Sequence, residues 1–153
     1  MSFAKAYALL QELEGLPNMG INRVRWEKFW NDREIDPPAW PPEEPSRTHY
    51  VKEAYWLPSG AYRLAEPIDA MFFQVYYHIG PEAVRILQSA VQVWPVDGIF
   101  GPLTLSQIER FSTDEVVSGI AGAQTAWYVV CDGSNPDLQG FCDRARRAKA
   151  ACS

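Results

Sequence analysis

Glu14 is the residue in this sequence whose position most invites chemistry. Phe3, Ala6, Tyr7, Leu10 and Leu13 recur at helical spacing and predict an amphipathic helix over residues 3 to 14, which Gly15 and Pro17 then stop. A carboxylate on that last turn faces the negative end of the backbone dipole, and Leu13 and Leu16 beside it add desolvation. Both effects favour a carboxyl that keeps its proton, which is what donation to the leaving oxygen of a glycoside requires. The plainer alternative is a surface glutamate ahead of a helix-ending glycine. His78 offers a hydrogen-bonding group or a base, or else a structural histidine with its bonds satisfied. Asp69, Asp32 and Glu27 are further acids, and nothing in their spacing selects one. Tyr77, Trp26 and Trp40 offer rings for stacking on sugars, with core packing the default for Trp26 and Tyr77. Trp40, set in Asp36-Pro37-Pro38-Ala39-Trp40-Pro41-Pro42, reads as a recognition surface.

The elements that must position these groups are nearly all helical. Residues 23 to 31 carry Trp26, Phe29 and Trp30 and read as a short helix, and the proline-rich stretch after it reads as an extended, semi-rigid loop. A helix from about Ser46 to Trp56 follows. Residues 66 to 79 are apolar over most of the helical circumference, which predicts a helix central to the core. Gly80-Pro81 opens a helix over 81 to 91 with Val84, Leu87 and Val91 on one stripe, and Gly101-Pro102 opens another to about Phe111. Ser112-x-x-Glu115 is a capping box for a helix through roughly Val130, and Asn135-Pro136 reads as cap and first position of the last helix. The expectation is an all-α fold of about seven helices.

Composition narrows the function. A net charge of −5 and a pI near 5.0 argue against a nucleic-acid partner. The one basic run, Arg144, Arg146, Arg147 and Lys149, lies on a helical pattern and reads as a solvated helix face. No stretch approaches the ~20 apolar residues of a membrane span, so membrane insertion is not expected. No Gly-rich phosphate loop, close cysteine pair or His cluster is present, and neither a metal nor a cofactor is expected. The start, Met1 to Tyr7, lacks the basic, apolar and small-residue regions of a secretory leader. Cys131, Cys142 and Cys152 are an odd set and read as buried free thiols, with a Cys131–Cys142 bridge after export as the alternative.

Several motifs together resemble the bacterial and phage N-acetylmuramidases of glycoside hydrolase family 108 and the peptidoglycan-binding-type region that follows their catalytic segment. The matching residues are Phe3 through Glu14-Gly15, Asn18-Met19-Gly20-Ile21-Asn22, Lys52-Glu53-Ala54-Tyr55-Trp56, and Leu87-Gln88-Ser89-Ala90-Val91 followed by Val96-Asp97-Gly98-Ile99-Phe100-Gly101-Pro102-Leu103-Thr104-Leu105. Trp127-Tyr128, Pro136 and Gly140-Phe141 through Arg144 resemble the family's closing helices. The resemblance implies a single lysozyme-like domain over residues 1–153, with a catalytic-type part at 1–60 packed as one unit with a peptidoglycan-binding-type part at 61–153. It also implies bacterial peptidoglycan as partner, Glu14 as catalytic acid, and Asn18, Asn22, Gln74, Tyr77 and His78 as substrate-binding candidates. Synthesis in the cytoplasm would then be followed by delivery to the periplasm or cell wall by a holin or a secretion machine.

The chain departs from that pattern in two places. Only Gly15-Leu16-Pro17 joins Glu14 to Asn18, where the family carries about a dozen residues that would wall the cleft and supply its second polar group. Where the family has Phe-Asp and Val-Asn-x-Gly, this chain has Phe73-Gln74 and Tyr77-His78-Ile79-Gly80. Two readings follow: an active muramidase, or a catalytically inactive peptidoglycan-binding or structural protein of a phage tail or secretion apparatus.

Overall fold

In the computed structural model, which describes residues 3–15 and 18–153, the chain is built of helices, and the described residues contain no strand. In order these are α1 (Phe3–Glu14), α2 (Arg23–Asn31), α3 (Ser46–Val51), α4 (Leu57–Ser59), α5 (Ile68–Ile79), α6 (Ala83–Ala90), α7 (Pro102–Ile108), α8 (Thr113–Asp132) and α9 (Leu138–Ala151). Seven of these, among the described residues, are seven residues or longer. The fold is all-α, as the periodicity predicts.

Helix α5 is the pivot. Every residue from Ile68 to Val75 is buried, and α1, α6, α8 and α9 all pack against it. Met71, Phe72 and Phe73 are wholly shielded from solvent, each worth about 1.5–3 kcal/mol of transfer free energy. The N-terminal helix docks on this centre through Ala6, Tyr7 and Leu10, which belong to the same hydrophobic core cluster as α5. Trp26 is completely buried, and its Nε1 donates to Pro38 O at 3.3 Å, tying the proline-rich loop to α2. A second tie is Glu44, which accepts from Tyr7 Oη at 2.6 Å and from Arg47 Nε at 3.1 Å. Trp40 is half-buried against the core, with Arg23 above its ring at 6.0 Å, and so is less free than a recognition loop would have it.

Several boundaries differ from the sequence reading. The helix expected over 46 to 56 is α-helical only to Val51 and passes through a π-helical turn (Lys52–Trp56) into α4. Gly80–Glu82 is a 3-10 turn ahead of α6, and α7 ends at Ile108 rather than Phe111. The capping box is present: Ser112 Oγ accepts from Glu115 N at 3.3 Å and Glu115 Oε2 from Ser112 N at 2.7 Å. Asn135 does not cap α9. Its Oδ1 accepts from Asp137 N at 2.8 Å, closing a local turn that delays the helix to Leu138. The thiols are free, and of the three expected to be buried only Cys152 is; Cys131 is exposed and Cys142 half-buried.

Candidate functional site

Gly15 ends α1 in the left-handed conformation, φ 74°, with its N–H bonded to Gln11 O at 3.0 Å. This leaves Glu14 on the last turn with 16% of its side chain exposed. Leu16 and Pro17, which the sequence reading placed beside it, lie outside the described residues. The chain then returns over Glu14 in the turn Asn18-Met19-Gly20. Gly20 has φ 68°, which favours glycine, and a Cβ there would stand 3.0 Å from Glu14 Oε2, so a side chain at 20 would be strained and would push on the carboxylate. Tyr77 fastens the same turn by donating its hydroxyl to Met19 O at 2.6 Å.

The carboxylate's partner is Arg144 on α9, whose Nη1 forms an ion pair with Glu14 Oε1. Arg144 was expected on a solvated face and is instead 7% exposed. Its Nε donates to Gln74 Oε1 at 3.0 Å and its Nη2 to Gln74 O at 3.0 Å. Behind them, Gln74 and Gln124 exchange amide hydrogen bonds of 2.9 and 3.2 Å. Gln124 also donates to Tyr128 Oη at 2.8 Å, which lies 2.6 Å from His78 Nδ1. The Tyr128 hydroxyl accepts from Gln124 and shares one further hydrogen bond with His78 Nδ1, which ties the imidazole to the amide pair. Burial, reinforced by the Arg144 charge, pushes His78 down to about 4, so it is neutral at physiological pH.

This relay of six side chains from α1, α9, α5 and α8 curves behind a single cavity. Glu14 and His78, its two ends, both line that space of about 390 Å³, together with Leu13, Asp137, Phe141 and Arg144. The volume falls in the range of small-ligand clefts. Asp137 is therefore a second acidic residue lining the cavity of Glu14, positioned by the turn that Asn135 closes. A neighbouring cavity of about 380 Å³ shares His78 and is lined by Arg25, Tyr55, Tyr76 and Tyr77.

The substrate-binding candidates divide accordingly. His78 lines both cavities and Tyr77 the second. Gln74, 1% exposed, lies behind Arg144 and orients it rather than meeting the cavity. Asn22 spends its Oδ1 on capping α2, accepting from Arg25 N at 3.1 Å. Asn18 Oδ1 is buried and has no hydrogen-bond partner among the described residues. Of the other acids, Asp32 pairs with Lys28 at 2.7 Å and Glu27 with Arg23 at 2.9 Å, both on the exposed side of α2. Asp69 is fully buried. Its Oδ1 accepts from Ala70 N at 2.7 Å, its Oδ2 has no hydrogen-bond partner among the described residues, and burial pushes it up to about 6.

Sequence reasoning missed Arg144, Asp137, Gln124 and Tyr128 as parts of the site. A signal for Arg144 was present: Phe141, Arg144, Ala145, Ala148 and Cys152 share the inward stripe of α9, so an arginine in that register must find a buried partner.

No protein-family model and no curated protein matches the chain. A solved structure of SagA from Brucella abortus is similar in fold, with a TM-score of 0.79 and 22% sequence identity, over 98% of this chain and 92% of that one. At that identity the likeness speaks for the fold alone.

Proposed function

We propose that this chain is a lysozyme-like peptidoglycan hydrolase, an N-acetylmuramidase that cleaves the β-1,4 bond between N-acetylmuramic acid and N-acetylglucosamine with Glu14 as general acid. The observation that carries this reading is the cavity that Glu14 borders together with a second carboxylate, Asp137. Glycoside hydrolysis uses such a pair, one group protonating the leaving oxygen and the other serving the anomeric carbon. Arg144 engages Glu14 Oε1, so Oε2, on the side of Gly20, is the oxygen left to meet the leaving sugar oxygen. On proton transfer the glycosidic C–O bond breaks, and water, activated by Asp137, completes the hydrolysis at the anomeric carbon. The partner is bacterial peptidoglycan, reached in the periplasm or cell wall by way of a holin or a secretion machine.

One observation favours a second reading. The ion pair with a buried guanidinium gives Glu14 a structural task that would outlast the loss of catalysis, as in a peptidoglycan-binding or structural component of a phage tail or secretion apparatus. Purified protein incubated with peptidoglycan decides between them. The muramidase reading expects new reducing ends, lost in Glu14→Gln and in Asp137→Asn while both variants remain folded. Wild-type protein that binds the polymer and releases no reducing ends at any pH from acid to neutral establishes the second.

A further inference from the structure

The cavity next to that of Glu14 has a chemical character of its own. Its lining contains no acid, and Arg25 is its only formally charged residue, in a chain whose net charge is −5. The Arg25 guanidinium makes no hydrogen bond or ion pair among the described residues, whereas the neighbouring Arg23, Lys28 and Arg33 are all engaged. Three phenols surround the space. Tyr77 donates to Met19 O, Tyr55 Oη lies 3.5 Å from Tyr50 Oη, and the Tyr76 hydroxyl has no hydrogen-bond partner among the described residues. Burial raises Tyr76 and Tyr77 above the ordinary phenol range, so both remain neutral. Free cationic donors beside neutral phenols, in a lining that holds no carboxylate, make a receptor for an anion with an apolar stem, and the nearby Asp32 is already paired with Lys28.

The first cavity suggests the identity of that anion. His78 lines both cavities, so the two spaces are neighbours. The two sugars of peptidoglycan differ at one place: the muramoyl residue carries a lactyl ether on O3, ending in a carboxylate or extended by a peptide that bears carboxylates. We propose that the Arg25 cavity is the subsite for this carboxylate-bearing 3-O-substituent, and that it makes the protein select muramoyl glycans over chitin-type glycans. The proposal rests on the glycan-cleft reading above and adds the group that is recognised.

The test is a titration of the full chain, followed by NMR, with three disaccharides: chitobiose, N-acetylglucosaminyl-N-acetylmuramic acid, and the same disaccharide bearing its tetrapeptide. At least one muramoyl ligand is expected to bind about tenfold or more tightly than chitobiose, the usual worth of a charged hydrogen bond. Arg25→Gln should erase that preference and leave chitobiose affinity and the melting temperature unchanged. Tighter binding of the free lactyl form names the lactyl carboxylate as the anion; tighter binding of the peptide form names the peptide. Equal affinity for all three, a preference that survives Arg25→Gln, or no binding of any of them overturns the proposal. Sacculi that sediment the protein in those cases leave the glycan-cleft reading standing, whereas sacculi that do not sediment it remove that reading too.

Discussion

Half-buried His78 and fully buried Asp69 have opposite protonation preferences and should give this protein's acid stability two opposing slopes, which single substitutions should expose. His78 is held near 4 in the fold against an ordinary 6.5, so the unfolded chain binds its proton first as pH falls. Stability from His78 is therefore complete above about 6.5 and is lost on acidification toward 4, amounting to about 3 kcal/mol at pH 4. Asp69 behaves in reverse. Its carboxyl titrates near 6 in the fold against 3.8 ordinarily, so the folded chain binds that proton first. Stability is gained as pH falls through 6, by about 2 kcal/mol at pH 4 relative to pH 7.5. The two contributions offset each other to within about 1 kcal/mol. The assay is urea unfolding followed by tryptophan fluorescence at pH 7.5, 5 and 4, each variant referred to its own stability at pH 7.5. His78→Gln should lose about 3 kcal/mol less than wild type on going to pH 4, and Asp69→Asn should lose about 2 kcal/mol more. Taking each variant against itself removes the constant cost of altered packing. Parallel pH profiles for wild type and His78→Gln would refute the reasoning, since they would mean that imidazole is solvated in the folded state.

Other substitutions probe the scaffold of the site. Arg144→Met removes the charge that Glu14 and Gln74 share and should cost about 3–5 kcal/mol in denaturant unfolding, as breaking a buried ion pair does; a loss below about 1 kcal/mol would show that solvent supports Glu14 equally well. Gly119→Ala would place a Cβ 2.9 Å from Ala90 O where α8 crosses α6, and should lower stability by about 1–3 kcal/mol. Gly122→Ala meets nothing within 4 Å and should instead stabilise the helix by about 0.5–1 kcal/mol, so thermal melts of the two should move in opposite directions.

What was legible in the sequence was what local rules determine. The stripe of α1, the apolar circumference of α5 and the capping box of α8 each depend on residues within one or two helical turns. The placement of Glu14 at a helix end followed from the same rules. Its partner did not, because Arg144 stands 130 residues away and the pairing arises only once α1 and α9 meet. Asp137 escaped notice for a local reason: Asn135 before a proline looks like a helix cap, whereas the helix starts two residues later at Leu138 and leaves Asp137 in the turn that lines the cavity.

The relay also gives a physical reason for an amide rather than an acid at position 74. An amide at position 74 can donate and accept at once, and Gln74 does both, giving its Nε2 hydrogen to Gln124 and taking hydrogen bonds on Oε1 from Gln124 and Arg144. An aspartate there has no hydrogen to give, so Gln124 Oε1 would lose its donor inside the core. Its negative charge would also draw on the same guanidinium that Glu14 uses, setting two carboxylates in competition for Arg144. Glutamine at 74 leaves the positive charge undivided for Glu14. On this argument Gln74, Gln124 and Arg144 form one device that fixes the Glu14 carboxyl at the cavity wall, and Gln74→Asp should loosen Glu14. A Gln74→Asp variant that matched wild type in both unfolding free energy and glycan hydrolysis would show that the relay does not hold Glu14 in place.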